Sequence, residues 1–236
     1  MKITLFTGPT FDIEKELGFP IRVVKSPRAR RLTLRIDEKA RLPVLTLPPR
    51  CPARKAVAFV EDHRDWITNM LARLPVAAKF KDGDEILFMG QTCRIIHRPG
   101  TRLGVMMKDN LIIVSGEAEF LHRRVIDFMK KQAQTRLLEL SRQKAAQIGC
   151  TVNSVVIKDT KSRWGSCSTR RNINYNWRIV LAPAEVINYL VCHEVAHLAH
   201  QDHSPAFWAC VGSLCPGYKE SRAWLRVKGK SLYQYI

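Results

Sequence analysis

Hydrophobic residues recur along this chain with two periods, which separate β-rich stretches from helical ones. Between residues 21 and 47, short apolar runs alternate with polar residues, and this pattern predicts three strands. Residues 53–74 carry apolar positions at helical spacing, and residues 80–115 return to short strands separated by turn signals. The pattern therefore predicts a β-rich N-terminal region with one helix over residues 1–116.

The second half of the chain follows a different pattern. The amphipathic stretch 118–148 predicts one long helix. Strands are predicted over residues 152–158 and 173–183, separated by the polar loop SRWGSCS, and Pro183 opens a further helix. We therefore expect an α+β fold in which residues 117–236 form a second domain, with that further helix packed on a small sheet.

The helix that follows Pro183 contains the motif H-E-x-x-H at His193, Glu194 and His197. Side chains four residues apart lie on one face of a helix, about 6 Å apart along its axis, so both imidazoles can reach one metal ion. Glu194 can then take a proton from a water at that ion. The motif predicts a metal-dependent hydrolase, and Zn²⁺ is the ion that this chemistry favours.

A catalytic zinc usually takes three protein ligands, so a third ligand is expected. The candidates after the motif are His200, His203 and acidic residues such as Glu220. On a continued helix, His200 would lie about 10 Å along the axis from His193, too far for both to share one ion. The Ser204–Pro205 pair predicts that a new helix begins there, which favours a chain reversal near His200 and His203 as the third ligand. His200 is then expected beside the ligands or at the surface.

The charge of the chain suggests a second kind of partner. Lys and Arg total 39 against 21 Asp and Glu, which gives a net charge of +18 over 236 residues. Such an excess favours polyanions, including nucleic acid. Basic residues cluster between positions 22 and 35, where Arg28, Arg30 and Arg31 are the candidate polyanion contacts. A sheet edge protected by solvated charge explains this cluster equally well.

Cysteine spacing and hydropathy indicate where such a protein works. The seven cysteines include no C-x-x-C pair and are expected to be reduced. No apolar run reaches the roughly 18 residues of a membrane helix, and the N-terminus lacks the long apolar core of a signal peptide. We expect a cytoplasmic protein with no membrane partner.

Four segments around the motif together resemble the YgjP-like metallopeptidase family, which is related to the SprT-like and wider zincin peptidases. These segments are SRWGSCS (162–168), NYNWRIVLAP (174–183), residues 188–203 and the following SPAFW. The resemblance is close over residues 158–228 and looser over residues 21–74, where a basic β-hairpin precedes a helix. It implies a minimal zincin-like catalytic domain, with zinc held by the two motif histidines and His203 and with Glu194 as general base.

The leading hypothesis is a zinc metallopeptidase that acts on a peptide or protein substrate. Tyr218, Arg178 and Asn176 are candidates to stabilise the oxyanion beyond the metal, and packing behind the metal helix is the alternative role for Arg178. One rival hypothesis keeps the metal but hydrolyses a phosphoanhydride such as a nucleotide. Another is a nucleic-acid-associated, SprT-like protease whose basic segment binds the polyanion.

Overall fold

The computed structural model describes five segments of the chain, residues 13–37, 40–74, 78–100, 104–160 and 162–235. The chain forms two compact units, Met1–Val76 and Ala77–Ile236. This division differs from the expected boundary at residues 116–117, which falls inside the second unit. The physical reason is that strands before that point and helices after it share one hydrophobic core, in which both Ile95 and Met129 are fully buried.

The first unit is built on a mixed sheet. Its elements are α1 (Ile13–Leu17), β1 (Arg22–Lys25), β2 (Thr33–Asp37), β3 (Leu42–Leu47), α2 (Ala53–Glu61) and α3 (Arg64–Ala72). Strand β3 is central, parallel to β1 and antiparallel to β2. The unit has its own core, in which Leu45 and Leu47 of β3 pack with Val60 of α2 and Ile67 of α3.

Two features of the first unit differ from expectation. The helix predicted over residues 53–74 is interrupted at Asp62 and His63, because His63 leaves the helical region with φ −110° and ψ 13°. The basic segment is not a hairpin, because β3 lies between β1 and β2. Arg28, Arg30 and Arg31 instead lie in the exposed connection between those two strands.

The second unit contains the remaining elements. Its strands are β4 (Glu85–Phe88), β5 (Gln91–Arg98), β6 (Val105–Lys108), β7 (Leu111–Ser115), β8 (Ser154–Lys158), β9 (Gly165–Cys167) and β10 (Asn172–Asn176). Its α-helices are α4 (Leu121–Gln147), α5 (Ala184–Ala196), α6 (Pro205–Leu214) and α7 (Tyr218–Lys228). Short 3-10 helices span Ala118–Phe120, Trp177–Leu181 and Gly229–Gln234. The strands form two sheets, of order β4-β5-β7-β6 and β8-β10-β9.

The sheet β8-β10-β9 positions the motif helix. Val155, Ile173 and Tyr175 face the core, and the Tyr175 hydroxyl lies 2.9 Å from the Ser141 hydroxyl of α4. Strand β10 is parallel to β8 and antiparallel to β9, so β9 is an edge strand that packs against α5. This confirms the expected α+β architecture, with the motif helix on a small sheet.

The strand predicted over residues 173–183 is shorter than expected. It ends at Asn176, whose side-chain oxygen accepts a hydrogen bond from the Arg178 amide at 3.0 Å and so caps the 3-10 helix Trp177–Leu181. Every residue of that helix is buried. A continuous apolar run does not distinguish a buried strand from a buried helix, which explains the difference.

The predicted helix over residues 118–148 is confirmed as a 3-10 turn followed by α4. Its buried positions follow helical spacing, including Val125, Met129, Ala133 and Leu137. Across the described segments, no helix is both long and apolar enough to cross a bilayer.

Candidate metal centre and active site

The chain reverses direction between the second and third histidines of the predicted site. Helix α5 ends at Ala196, and turns follow through Ala199. Ser204 begins α6 as its N-cap, because its hydroxyl accepts a hydrogen bond from the Phe207 amide. His203 lies between the two helices, where the reversal returns it to α5. The predicted end of the helix before His200 is therefore present.

This reversal brings three imidazoles together. The side chains of His193, His197 and His203 each offer a nitrogen, and these nitrogens lie within 4.8 Å of one another. Nε2 of His203 is 3.3 Å from Nε2 of His193. Within the described residues, no other group of three or more His, Cys, Asp or Glu side chains has metal-binding geometry, and Glu220 does not join this one. The three histidines can therefore hold a metal ion.

Two observations support a metal ion at this triad. His197 Nδ1 lies 3.0 Å from the His200 carbonyl, to which it can donate, so its Nε2 keeps a lone pair for a metal. Beside the triad, the buried Glu194 Oε2 and His193 Nδ1 have no hydrogen-bond partner in the described chain. Buried polar groups are nearly always partnered, so both atoms fit a site completed by a metal and water.

Burial sets the protonation of the site. It lowers the pKa of His193 to about 4, and the two other histidines and Arg222 act in the same direction. Burial likewise lowers the pKa of His197. The pKa of Glu194 is raised to about 8 by burial, against a smaller lowering by the positive charge of Arg163. At neutral pH the imidazoles of His193 and His197 are therefore neutral ligands, and Glu194 holds a proton in the metal-free protein.

Glu194 occupies space that a side chain on β9 would otherwise fill. A Cβ atom placed on Gly165 would lie 2.3 Å from Glu194 Oε1, so the carboxyl packs directly against the backbone of the strand. The polar loop predicted over residues 162–168 thus contains the strand that contacts Glu194. Cys167, two residues along β9, is close enough that the charge of Glu194 contributes to the raised pKa of its thiol, after the larger effect of burial.

Aromatic side chains from α6 form one wall of the site. Phe207 is fully buried, and its ring centroid lies 4.5–5.0 Å from those of the three histidines. The ring centroids of Trp208 and His193 are 5.8 Å apart. The guanidinium carbon of Arg222 lies over the Trp208 ring, 4.4 Å from its centroid. Phe207, Trp208 and Arg222 were not predicted, although the aromatic pair in SPAFW and the position of Arg222 one helical turn after Tyr218 were available signals.

The remaining candidate site residues have different surroundings. Tyr218 stacks on Trp208, with ring centroids 5.4 Å apart. His200 contacts His197 through its backbone carbonyl. Arg28, Arg30 and Arg31 belong to the first unit.

Asn176 and Arg178 serve as structural anchors. Arg178 is 4% exposed and donates to Asp159 Oδ1 and twice to the Tyr235 carbonyl. The Asn176 amide donates to the Thr160 carbonyl at 2.7 Å and to the Tyr233 hydroxyl at 2.9 Å. Both side chains tie the sheet to the C-terminal segment, and the hydrogen bonds of Arg178 involve Asp159 and Tyr235 and no residue of α5.

Comparisons with known proteins identify the family. A solved structure described as the metallopeptidase zymogen of Pyrococcus abyssi abylysin matches with 24% identity, over 39% of this chain and 95% of that chain, at a TM-score of 0.35. No curated protein sequence gives a significant match. The family model described as the YgjP-like metallopeptidase domain matches residues 30–228. The chain therefore belongs to the YgjP-like metallopeptidase family.

Proposed function

We propose that this metallopeptidase uses zinc held by His193, His197 and His203, with Glu194 as the general base that cleaves the peptide bond. The observation that carries the proposal is the buried Glu194 carboxyl beside three converging imidazole nitrogens, with its Oε2 unpartnered in the described chain. When bound at such a triad, zinc supplies a Lewis acid that acidifies water and polarises a carbonyl.

Glu194 is suited to proton transfer at this place. Burial raises the pKa of Glu194, and a carboxylate with a raised pKa is a stronger base than an exposed one, which supports this role. The positive charge of a bound zinc ion would favour the ionised carboxylate at neutral pH. As the carboxylate, Glu194 takes a proton from the attacking water and delivers it to the leaving amine. Its position is fixed because Oε1 packs against Gly165 and the surrounding α5 backbone is buried.

The edge strand β9 gives the peptide a place to bind. Trp164 O accepts from the Asn176 amide, and the Ser168 amide donates to Asn172 O, so alternate residues of this strand bond to β10. The backbone groups of Gly165 and Cys167 therefore point away from the sheet. An extended peptide that pairs with them lies beside Glu194.

The test is the substitution Glu194→Gln, which keeps the shape of the side chain and removes the base. Zinc affinity should stay within threefold of wild type, and turnover of a quenched casein-derived peptide should fall about a thousandfold. Turnover that survives in the zinc-loaded variant would exclude Glu194 as the base. Loss of zinc together with loss of activity would assign Glu194 to metal binding instead.

A nucleic-acid-associated peptidase is a second proposal, favoured by the basic connection of the first unit. Arg28, Arg30 and Arg31 are exposed, and none pairs with a carboxylate of the described chain. Replacing all three with Ala should weaken binding to double-stranded DNA and flatten its salt dependence. The proposal is excluded if the wild type does not bind double-stranded DNA, or if its affinity for DNA does not change with salt concentration.

A further inference from the structure

A polar pocket of about 300 Å³ lies on the face of the sheet β8-β10-β9 that is turned away from α5. Side chains alternate along a strand, and Gly165 faces Glu194, so Ser166 points to the opposite face. Asn174 pairs with Ser166 in register and shares that face. The pocket therefore lies just across the edge strand from the metal centre.

The pocket has the charge and the hydrogen-bonding groups of an anion site. Its lining includes the cations Lys158 and Arg163 and the hydroxyls of Thr160, Ser162 and Ser166, and it contains no carboxylate among the described residues. Neither cation has an ion pair with a described acid. The nearest acid in sequence, Asp159, is taken by Arg178.

Some polar groups of the pocket already form hydrogen bonds with each other, and the remaining hydrogen-bond donors can be identified. Asn174 Nδ2 donates to the Ser166 oxygen at 3.1 Å, so the Ser166 hydroxyl hydrogen is left for another acceptor. The exposed hydroxyl of Ser162 and the charged groups of Lys158 and Arg163 add further donors. A carboxylate accepts hydrogen bonds only, so it matches this set.

A peptide paired with β9 would reach both faces of the sheet. Its side chains alternate, so one set enters the side of Glu194 and the next set lies over the pocket. The pocket is thus within one residue step of the proposed cleavage site along a bound strand.

We propose that this pocket is a substrate subsite that binds an acidic side chain of the peptide, on the strand face opposite to the metal centre. This inference rests on the proposed peptidase function, because it takes the bound strand along β9 as given. Both cations are exposed, so the expected selectivity is modest, about fivefold in affinity. We expect the affinity for a peptide to depend on the positions of its acidic residues along the strand as well as on their number.

The experiment measures binding without turnover. The full-length, zinc-loaded Glu194→Gln protein is titrated with short dye-labelled peptides by fluorescence anisotropy. One peptide alternates Thr and Glu, so that all its acids share one face of a strand. A second has the same composition with the Glu residues in one block, and a third alternates Thr and Gln. The block peptide controls for general attraction to a chain of net charge +18.

The alternating Glu peptide should bind about fivefold more tightly than the block peptide and the Gln peptide. Replacing Lys158 and Arg163 with Gln should remove that ratio. Lys158→Arg should retain it, because the charge is kept. Arg170→Gln is the matched control, since Arg170 is an exposed arginine of the same sheet region that does not line the pocket.

Three outcomes would overturn the inference: equal affinity for the two Glu peptides, a ratio that survives the double substitution, or no measurable binding. Thermal melting of each variant shows whether it is folded, and Lys158→Arg shows whether charge is the property that matters. Failure of the peptidase function is recognised separately. In that case the wild type would not cleave peptides, although the binding ratio would persist and still depend on Lys158 and Arg163.

Discussion

The sheet of the first unit and the sheet that packs on α5 share one topology, but only the second lies beside the candidate metal centre. In each, the last strand in sequence is central, parallel to the first and antiparallel to the second. On β2, Leu34 pairs with Leu45 and packs into the core. On β9, Gly165 has no side chain, and the Glu194 carboxyl occupies the space where a Cβ atom would lie. The Glu194 carboxyl therefore fits against the sheet because one side chain is missing there, and the strand topology is unchanged.

A third occurrence of this topology strengthens the point. Strands β5, β6 and β7 repeat it, since β7 is parallel to β5 and antiparallel to β6. Their inward positions carry apolar residues such as Ile95, Ile112 and Val114, all fully buried. The strand arrangement therefore provides a stable scaffold, and the residues at one edge strand and the adjoining helix decide whether it carries chemistry.

Among the changes that test this comparison, the largest expected effect comes from removing a candidate metal ligand beside the second sheet. His203→Ala should lower zinc affinity by more than about a hundredfold, because it removes one of three nitrogens that lie within 4.8 Å of one another. Competition with a chromophoric chelator measures this. His200→Ala is the control, since the contact of His200 with His197 uses its backbone carbonyl. An unchanged affinity in His203→Ala would place the third ligand elsewhere.

The second prediction concerns a substitution that adds a side chain to β9, so that this strand resembles β2. Gly165→Ala should lower peptide turnover about a hundredfold, because its Cβ would lie 2.3 Å from Glu194 Oε1 and displace the carboxyl. Zinc affinity should be nearly unchanged. Gly212→Ala is the matched control, because its Cβ would make an ordinary contact of 3.7 Å with Tyr218. Full activity of Gly165→Ala would contradict the role given to this gap.

The metal site was the most predictable part of the structure. The H-E-x-x-H spacing fixes His193 and His197 on one helical face, and the Ser204–Pro205 pair indicates where the next helix starts. These are local signals, so they can be read from consecutive residues. The same holds for α4, whose helical period extends over many turns.

What the sequence did not reveal depends on contacts between distant residues. The unit boundary was missed because the change from strand to helix after β7 was taken as a domain boundary, whereas β4–β7 and α4 share one core. The insertion of β3 between β1 and β2 was missed because strand order is not written in hydrophobic alternation. The role of Gly165 was missed because it depends on Glu194, which lies 29 positions further along the chain.

The third prediction uses the different settings of two buried carboxyls. Asp37 of the first unit forms an ion pair with Arg22, whereas Glu194 has no ion pair with a described residue. In metal-free protein the pKa of Glu194 is about 8 when folded and near 4.5 when unfolded, so the folded state holds an extra proton between these values. Stability must therefore fall as pH rises through this window. The opposite effect of His193, with its pKa lowered to about 4, is complete above its usual value of 6.5.

Urea unfolding in the presence of a chelator tests this dependence. Between pH 6.5 and pH 8, the metal-free wild type should lose about 1.5 kcal/mol of stability relative to Glu194→Gln. The difference between the two proteins isolates the carboxyl from other titrating groups. Parallel pH profiles would show that Glu194 keeps an ordinary pKa in the folded protein.

The smallest expected effect comes from removing an inward-facing side chain of β2. Leu34 is partly buried and pairs with Leu45, so Leu34→Ala should cost about 1 kcal/mol in the free energy of unfolding. Arg35→Ala, on the exposed face of the same strand, should change it by less than about 0.5 kcal/mol. Zinc affinity should be unaltered in both, because the three histidines belong to the second unit. We therefore expect the removal of a side chain from β2 to weaken packing alone, and the addition of one to β9 to lower turnover. Equal stability of the two variants would show that the Leu34 side chain adds nothing to this sheet.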